Sequence, residues 1–164
     1  MKYLPRENIT YKTKLNEDEV IKRLLNFIEP EKTFSFGIIS SGSIKSYEGQ
    51  INGQTFKIKR IIGYRNSFLP IINGIIEKDY DGETTIKVKM RLQIFIIVFL
   101  FIWCGGAGLI GIAFLTQAFD GSEFNPAILI PFGMLILVYA LVMGAFKFES
   151  NKSKKDLQSI LEAE

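Results

Sequence analysis

Hydrophobic and polar positions change their period within one stretch, IKVKMRLQIFIIVFLFIW at residues 86–103. Its first half alternates, with apolar residues at the even positions and cations at the odd ones, as in a strand with one wet face. From Leu92 onward there are 28 residues without a formal charge, and from Phe124 there are 23 more. Roughly 20 apolar residues cross a bilayer core as a helix. We therefore expect two transmembrane helices, at about 93–116 and 126–147, with an outer loop at 117–125.

The chain before the strands predicts one amphipathic helix. Asn16 is a candidate N-cap, and three acids follow it in the first turn, where the helix dipole favours them. Apolar residues recur from Val20 at i+4, i+7 and i+8, and Pro30 stops the helix. The prediction is a helix over 16–29 packed on a sheet. A helix lying on the membrane surface is the alternative, which the acidic start disfavours.

A period of two from Thr33 onward predicts about five short antiparallel strands with one wet face. Asn52-Gly53 indicates a hairpin with a type I′ turn, and Asp81-Gly82 indicates a second hairpin. The loop at 63–70, GYRNSFLP, mixes apolar and polar residues and is either anchored in the core or used for contact. The predicted strands lie at about 34–39, 44–51, 54–62, 71–80 and 84–92.

The tail after the second span is polar and then has a short apolar stripe at Leu157, Ile160 and Leu161. A helix of this length is marginal alone, so we expect it to dock back on the β-rich domain. The fold class is then α+β: a small antiparallel β-rich cytoplasmic domain with an N-terminal helix, a two-helix transmembrane hairpin and a short C-terminal helix. The corresponding units are residues 1–91, 92–148 and 149–164.

The charge distribution predicts the orientation in the membrane. Residues 1–91 carry 16 Lys/Arg against 11 Asp/Glu, whereas 117–125 carries two acids and no basic residue. Four lysines lie at the C-terminal end of the second span and after it. Since positive flanks stay in the cytoplasm, we expect a multi-pass protein of the cytoplasmic (inner) membrane with both termini cytoplasmic. The N-terminus has no signal-peptide pattern, so the first span would act as the insertion signal.

Cations on the strands nearest the spans are candidates for contact with a partner or with anionic lipid headgroups. Each basic residue near an anionic surface contributes about 1 kcal/mol. A plain solvated face is the alternative. The net excess of five basic residues in 1–91 is too small to indicate nucleic-acid binding. The candidate contact residues are Lys57, Lys59, Arg60, Arg65, Phe68, Lys87, Lys89 and Arg91.

Small residues at i, i+4 spacing in both spans are candidates for helix packing, because they allow helices to approach closely. Positions equally far from the cytoplasmic ends share a depth, which places Ala140 and Gly144 level with the bulky run 98–101. We expect the two spans to pack on each other; self-association, or contact with another membrane protein, is the alternative. The candidate packing residues are Cys104, Ala107, Gly108, Gly111, Gly133, Ala140 and Gly144.

No reactive constellation emerges from the sequence. The chain has no histidine and one cysteine, which removes the commonest general base and leaves too few ligands for a zinc site. Between their ends the spans hold no charged residue, whereas ion and proton paths usually need one. We expect a non-enzymatic binding protein, accessory or regulatory, without catalytic residues, cofactor or metal. The alternatives are a membrane immunity or protective protein against a toxin, and an enzyme on lipid-linked substrates that uses Arg65, Asn66 and Ser67.

The run FKIKRIIGYRNSFLPIINGII, followed by an alternating strand and a hydrophobic hairpin, resembles uncharacterised bacterial membrane proteins of similar length. The resemblance covers roughly residues 47–148 and implies a bacterial two-helix membrane protein with a small β-rich cytoplasmic domain. It carries no activity and no site residues. A bacterial PH-like domain is a looser comparison, since five strands and a terminal helix fall short of its usual seven strands.

Overall fold

The computed structural model describes residues 4–30, 45–79, 82–119 and 126–163. The predicted α+β class is confirmed, with a six-stranded sheet and three helices, two of them long and apolar. The predicted strand at 34–39 lies outside the described residues. In chain order the elements are β1 (Arg6–Thr13), α1 (Glu17–Phe27), β2 (Ile28–Pro30), β3 (Tyr47–Asn52), β4 (Thr55–Arg60), β5 (Ile71–Lys78), β6 (Thr84–Arg91), α2 (Ile94–Phe119), a short 3₁₀ turn (Pro126–Leu129) and α3 (Ile130–Leu161).

The sheet has the strand order β1-β6-β5-β4-β3-β2. Neighbouring strands are antiparallel, as predicted, except that β2 runs parallel to β3. Strand β1 had no clear sequence signal. Its covered side mixes polar and apolar side chains, because Glu7 and Thr13 flank Ile9 and Tyr11, and this mixture hides the period of two.

The β3–β4 hairpin turns one residue later than the sequence suggests. Asn52 pairs with Thr55, so Gly53 and Gln54 are the central residues of the turn. Gly53 has a φ of +57°, and no residue other than glycine in the described hairpins has a positive φ. A positive φ at the first central position alone is typical of type II′. The predicted type I′ turn is therefore wrong, because glycine takes the first position rather than the second.

Helix α1 begins as predicted and ends early. The Asn16 side chain accepts a hydrogen bond from the Glu19 backbone N–H at 2.8 Å, which caps the helix. Val20 and Leu24 are buried against the sheet. The helix ends at Phe27, two residues before the predicted end, because Ile28 and the residues after it pair with β3.

Helix α3 continues from the apolar segment into the β domain without a break. The predicted boundary at 148/149 does not interrupt it, and the helix runs for 32 residues to Leu161. The polar residues after Phe148 include neither glycine nor proline, so nothing in the sequence stops the helix there. Ser150 and Ser153 are fully buried, and so are Leu157 and Leu161. The predicted docking of the tail on the β domain is confirmed.

One face of the sheet is covered and the other is open. Helix α1 and the last three turns of α3 cover the first face, and buried residues from both pack with inward residues of the strands. We call the opposite side the open face. All strands start or end at one of two opposite ends of the sheet, and we call the end at which β6 passes into α2 the α2 end. Pairing places there the start of β1, β3 and β5 and the end of β4 and β6.

Helices α2 and α3 are both long and apolar enough to span a membrane. The first candidate segment, Ile94–Thr116, has 23 residues, and at 1.5 Å per residue it measures roughly 35 Å. Close contact between the helices occurs where a Cβ at Gly111 would lie 3.0 Å from the Phe132 ring. With 93 and 148 taken as the cytoplasmic ends, positions of equal depth pair residue 109 with 132, so this contact lies two residues from the expected register.

Candidate interaction surface

The open face presents its side chains in cross-strand rows that begin at the α2 end. Register fixes the rows, because residues paired across an antiparallel ladder point to the same side. Cations of different strands thereby become neighbours. The first row is Glu48, Lys59, Ile71, Arg91 and Arg6; the second is Gln50, Lys57, Asn73, Lys89 and Asn8; the third is Asn52, Thr55, Ile75, Lys87 and Thr10.

Positive charge dominates the open face. Two of its acids form ion pairs, Lys59–Glu48 at 2.9 Å and Lys87–Glu77 at 2.6 Å. Both pairs are partly exposed, and such pairs contribute little to stability. Among the described strand residues on this face, the cations Arg6, Lys12, Lys57, Lys59, Lys87, Lys89 and Arg91 outnumber the carboxylates Glu29, Glu48 and Glu77.

Of the predicted contact residues, the structure brings five together on the open face and places three elsewhere. Arg65 is exposed in the loop at 63–70, and Phe68 packs against the core. The same loop is anchored by the Tyr64 hydroxyl, which donates to Glu149. Arg60 points to the covered face. The five that share the open face are Lys57, Lys59, Lys87, Lys89 and Arg91.

Arg6 and Lys12 belong to the same surface, and sequence reasoning missed them. Both lie on β1, opposite Arg91 and Thr85 respectively. The signal that could have found them is the spacing of Arg6, Asn8, Thr10 and Lys12, four polar residues at alternate positions. It was not recognised because the intervening positions also include polar residues.

Arg60 lies in a partly buried charge cluster at the junction of β4 with α3. Its guanidinium is 3.5 Å from a carboxylate oxygen of Glu149 and 3.5 Å from one of Asp156. Glu149 has no exposed surface. The Tyr47 hydroxyl donates to Asp156 at 2.9 Å, and burial of Tyr47 raises the pKa of its phenol. The hydrogen bond to Glu149 likewise raises the pKa of Tyr64. These contacts tie the sheet to the helix directly after its apolar segment.

A second ionic cluster ties β1 to the same helix. The Glu7 carboxylate contacts the ammonium groups of Lys147 and Lys154, the latter at 3.1 Å. Burial acts to raise the pKa of Glu7, but the hydrogen bonds from the two lysines outweigh it, and the pKa lies below its ordinary value of 4.5. The carboxylate is therefore stabilised in its charged form by folding.

The depressed pKa of Glu7 predicts a loss of stability in acid. A carboxyl whose pKa is lower in the folded state contributes stability above its unfolded pKa, and that contribution disappears as the pH falls through the folded pKa. We expect Glu7→Gln to reduce the difference in unfolding midpoint between neutral pH and pH values below 4.5. Urea unfolding of both proteins across this range measures it. An unchanged pH dependence in the variant would contradict the assignment.

A shallow cavity of about 270 Å³ opens on the open face at the α2 end. Its lining includes Lys57, Lys59, Ile71, Gln93 and the carboxylate of Glu48, which is paired with Lys59. Ammonium groups, an amide and an apolar side chain suit recognition of anionic groups by charge and hydrogen bonds. The Glu48 carboxylate offsets the charge of Lys59, so Lys57 and the Gln93 amide are the groups that suit an anion.

The candidate packing residues fall into two groups. Gly111 is buried against Phe132, and Cys104, Ala107 and Gly108 are half-buried in α2. A Cβ at Gly144 would meet no atom within 4 Å. The small residues of α3 were expected to pack on α2, but all three are exposed: Gly133, Ala140 and Gly144.

Comparisons of the chain with protein-family models, with curated proteins and with solved structures found no match. Within the described residues, no group of three or more His, Cys, Asp or Glu side chains is placed to hold a metal ion.

Proposed function

We propose that the chain is an integral inner-membrane protein of non-enzymatic type that presents its β domain at the cytoplasmic surface for binding. The open face of the sheet is the binding surface in this proposal, and an acidic protein surface or anionic lipid headgroups are its ligands. The role is accessory or regulatory. The observation that carries the proposal is the row-by-row arrangement of cations on a sheet face that no described element covers.

Rigid attachment of the domain to the apolar helices supports this function. Strand β6 ends at Arg91 and α2 begins at Ile94, which leaves two residues between sheet and helix. Helix α3 continues into the domain, where Arg60 and Glu7 hold it through ion pairs. A domain attached at two points keeps one orientation relative to the bilayer, and a fixed surface loses less entropy on binding than a tethered one.

The proposed topology follows from charge. Lys147 and Lys154 contact Glu7 on β1. The β domain, with its basic open face, therefore lies on the same side of the membrane as these two lysines. Since basic flanks remain in the cytoplasm, both termini are cytoplasmic in the proposal. The surface potential of the cytoplasmic leaflet is negative, so it attracts this domain as well as any anionic ligand near the membrane.

Neutralising the open face is expected to abolish ligand capture without unfolding the protein. In the triple variant Lys57→Gln, Lys87→Gln, Lys89→Gln, the three lysines are on strands but their side chains are exposed, so the stability change is expected to be small. Tagged full-length protein is recovered from detergent-solubilised membranes, and the co-purifying proteins and lipids are identified. We expect an acidic protein or an anionic lipid that is lost, at least tenfold, in the triple variant.

A matched control changes three cations elsewhere on the domain. Lys14, Lys22 and Lys155 lie outside the strands, so their replacement by glutamine removes the same net charge and leaves the open face intact. Equal loss of ligand in both variants would indicate a response to net charge alone and would count against the open face. Recovery of neither protein nor lipid with the unmodified chain would contradict the proposed function.

A further inference from the structure

Exposed apolar side chains of the β domain concentrate at the α2 end of the sheet. Five large hydrophobic residues are exposed in the described part of the chain before α2. Ile75 is one of them and lies in the third row of the open face. Soluble domains usually scatter such residues, whereas the topology collects the other four at one edge: Leu4, Leu25, Phe27 and Tyr64.

Three separate connections bring these residues to the same edge. Leu4 precedes Arg6, which pairs with Arg91 at the last position of β6. Tyr64 lies in the loop that joins the end of β4 to the start of β5, and Ile71 at that start also pairs with Arg91. The loop is therefore adjacent to the beginning of α2.

Helix α1 delivers the remaining two. Its last turn carries Leu25 and Phe27, and the next residue, Ile28, pairs with Tyr47 at the start of β3. Tyr47 in turn pairs with Arg60, at the end of β4. The Lys45 ammonium donates to the backbone carbonyls of Leu25 and Ile28, at 2.7 and 2.9 Å, which fixes this helix end to the sheet edge.

Cations accompany the apolar residues at this edge. Arg6 and Arg91 are neighbours across the β1–β6 ladder, and Arg65 is exposed beside Tyr64. At the start of the domain portion of α3, the Lys152 ammonium lies 4.1 Å above the Phe148 ring. Aromatic and aliphatic side chains mixed with basic ones are typical of the bilayer interface, where the apolar part enters the headgroup region and the charge contacts phosphates.

We propose that the α2 end of the β domain is a lipid-binding surface, seated in the anionic headgroup region of the bilayer that α2 and α3 span. This rests on the proposed membrane insertion and adds to it a second contact, separate from the open face. The occupant follows from continuity: the sheet edge adjoins the start of α2 and the end of the apolar part of α3, so no other surface is nearer. The strands then point away from the membrane, and the open face stands beside the bilayer, accessible to a cytoplasmic partner.

Fluorescence quenching by a headgroup-labelled lipid tests whether the α2 end of the β domain lies in the headgroup region. In a Cys104→Ser background, single cysteines Phe27→Cys, Tyr64→Cys and Ile75→Cys carry an environment-sensitive fluorophore, with Leu25→Cys as a second reporter on α1. The full chain is reconstituted in vesicles of equal parts phosphatidylcholine and phosphatidylglycerol that contain a headgroup spin-labelled lipid. We expect quenching at positions 25, 27 and 64 to exceed that at 75 severalfold.

A further variant tests whether basic side chains contribute to the lipid contact. Arg65→Gln is expected to reduce quenching at position 64 in the phosphatidylglycerol vesicles and to leave it unchanged in pure phosphatidylcholine. Quenching at 75 equal to that at 27 and 64 would place the open face on the lipid and overturn the proposal, and so would the absence of quenching at all four positions. Quenching of Trp103 by lipids brominated in the acyl chains tests insertion itself. Quenched Trp103 with unquenched reporters would overturn the seating alone, whereas unquenched Trp103 would overturn the proposed function as well.

Discussion

Replacement of Gly49 by alanine is expected to lower the free energy of unfolding of the β domain by about 3 kcal/mol. Gly49 has a φ of +154°, a backbone angle that residues with a side chain rarely adopt, and it lies buried on β3 between β2 and β4. A Cβ there would be 2.1 Å from the carbonyl oxygen of Lys57 and 2.7 Å from the Cα of Ile58. Backbone atoms cannot rotate away as side chains do, so the strands must separate.

Alanine substitutions at three other glycines separate the two causes of this destabilisation, backbone strain and crowding around the added Cβ. Gly53 has a positive φ and open space around it, so Gly53→Ala measures backbone strain alone, at about 1 kcal/mol. At Gly74 a Cβ would lie 2.0 Å from the ring of buried Phe56, so Gly74→Ala measures crowding alone, at about 2 kcal/mol. Gly63 has neither problem, and Gly63→Ala is expected to change stability by less than about 0.5 kcal/mol.

Urea unfolding of the four variants in detergent, followed by the circular dichroism of the strands, gives the comparison. The expected order of destabilisation is Gly49, Gly74, Gly53 and Gly63, from largest to smallest. Equal stability of Gly49→Ala and Gly63→Ala would show that β3 does not run between β2 and β4 as described.

The sequence predicted the elements whose signals are local. The Asn16 cap, the two hairpins and the apolar length of α2 each depend on residues close together in the chain, and each was found. Strand β1 was missed because its stability comes from pairing with β6, more than 70 residues later, rather than from its own alternation. Strand β2 was also missed, because a strand of three residues that ends in a proline carries no recognisable period.

The surface was predicted less completely than the fold. The cations of β4 and β6 were recognised from alternation, and their side of the sheet was correct. Arg6 and Lys12 lie on the same face because β1 pairs with β6, and no local sequence pattern specifies this strand order. Alternation places Arg60 on the face of Phe56 and Ile58, opposite Lys59. It does not reveal the ion-pair partner, because Glu149 lies 89 residues away on α3.

Arg60→Met is expected to destabilise the protein by about 3 kcal/mol, at the lower end of the cost of breaking a buried ion pair because Arg60 is itself partly exposed. Methionine keeps much of the side-chain volume and removes the charge. The Glu149 carboxylate then stays buried with the Tyr64 hydroxyl but without a cation. Lys59→Met is the matched control, since Lys59 is the preceding residue on β4 and pairs with Glu48 on the open face. We expect it to cost less than about 1 kcal/mol.

The double variant Arg60→Met, Glu149→Leu separates a lost attraction from an uncompensated charge. If the cost of Arg60→Met comes from leaving the carboxylate unpaired, removing the carboxylate restores much of the stability, because apolar replacement of a whole buried pair is often neutral. If the cost comes from lost packing, the double variant is at least as unstable as the single one. Thermal unfolding in detergent distinguishes the two. Similar midpoints for Arg60→Met and Lys59→Met would contradict the buried pair, and with it the tie between sheet and α3 on which the proposed orientation of the domain depends.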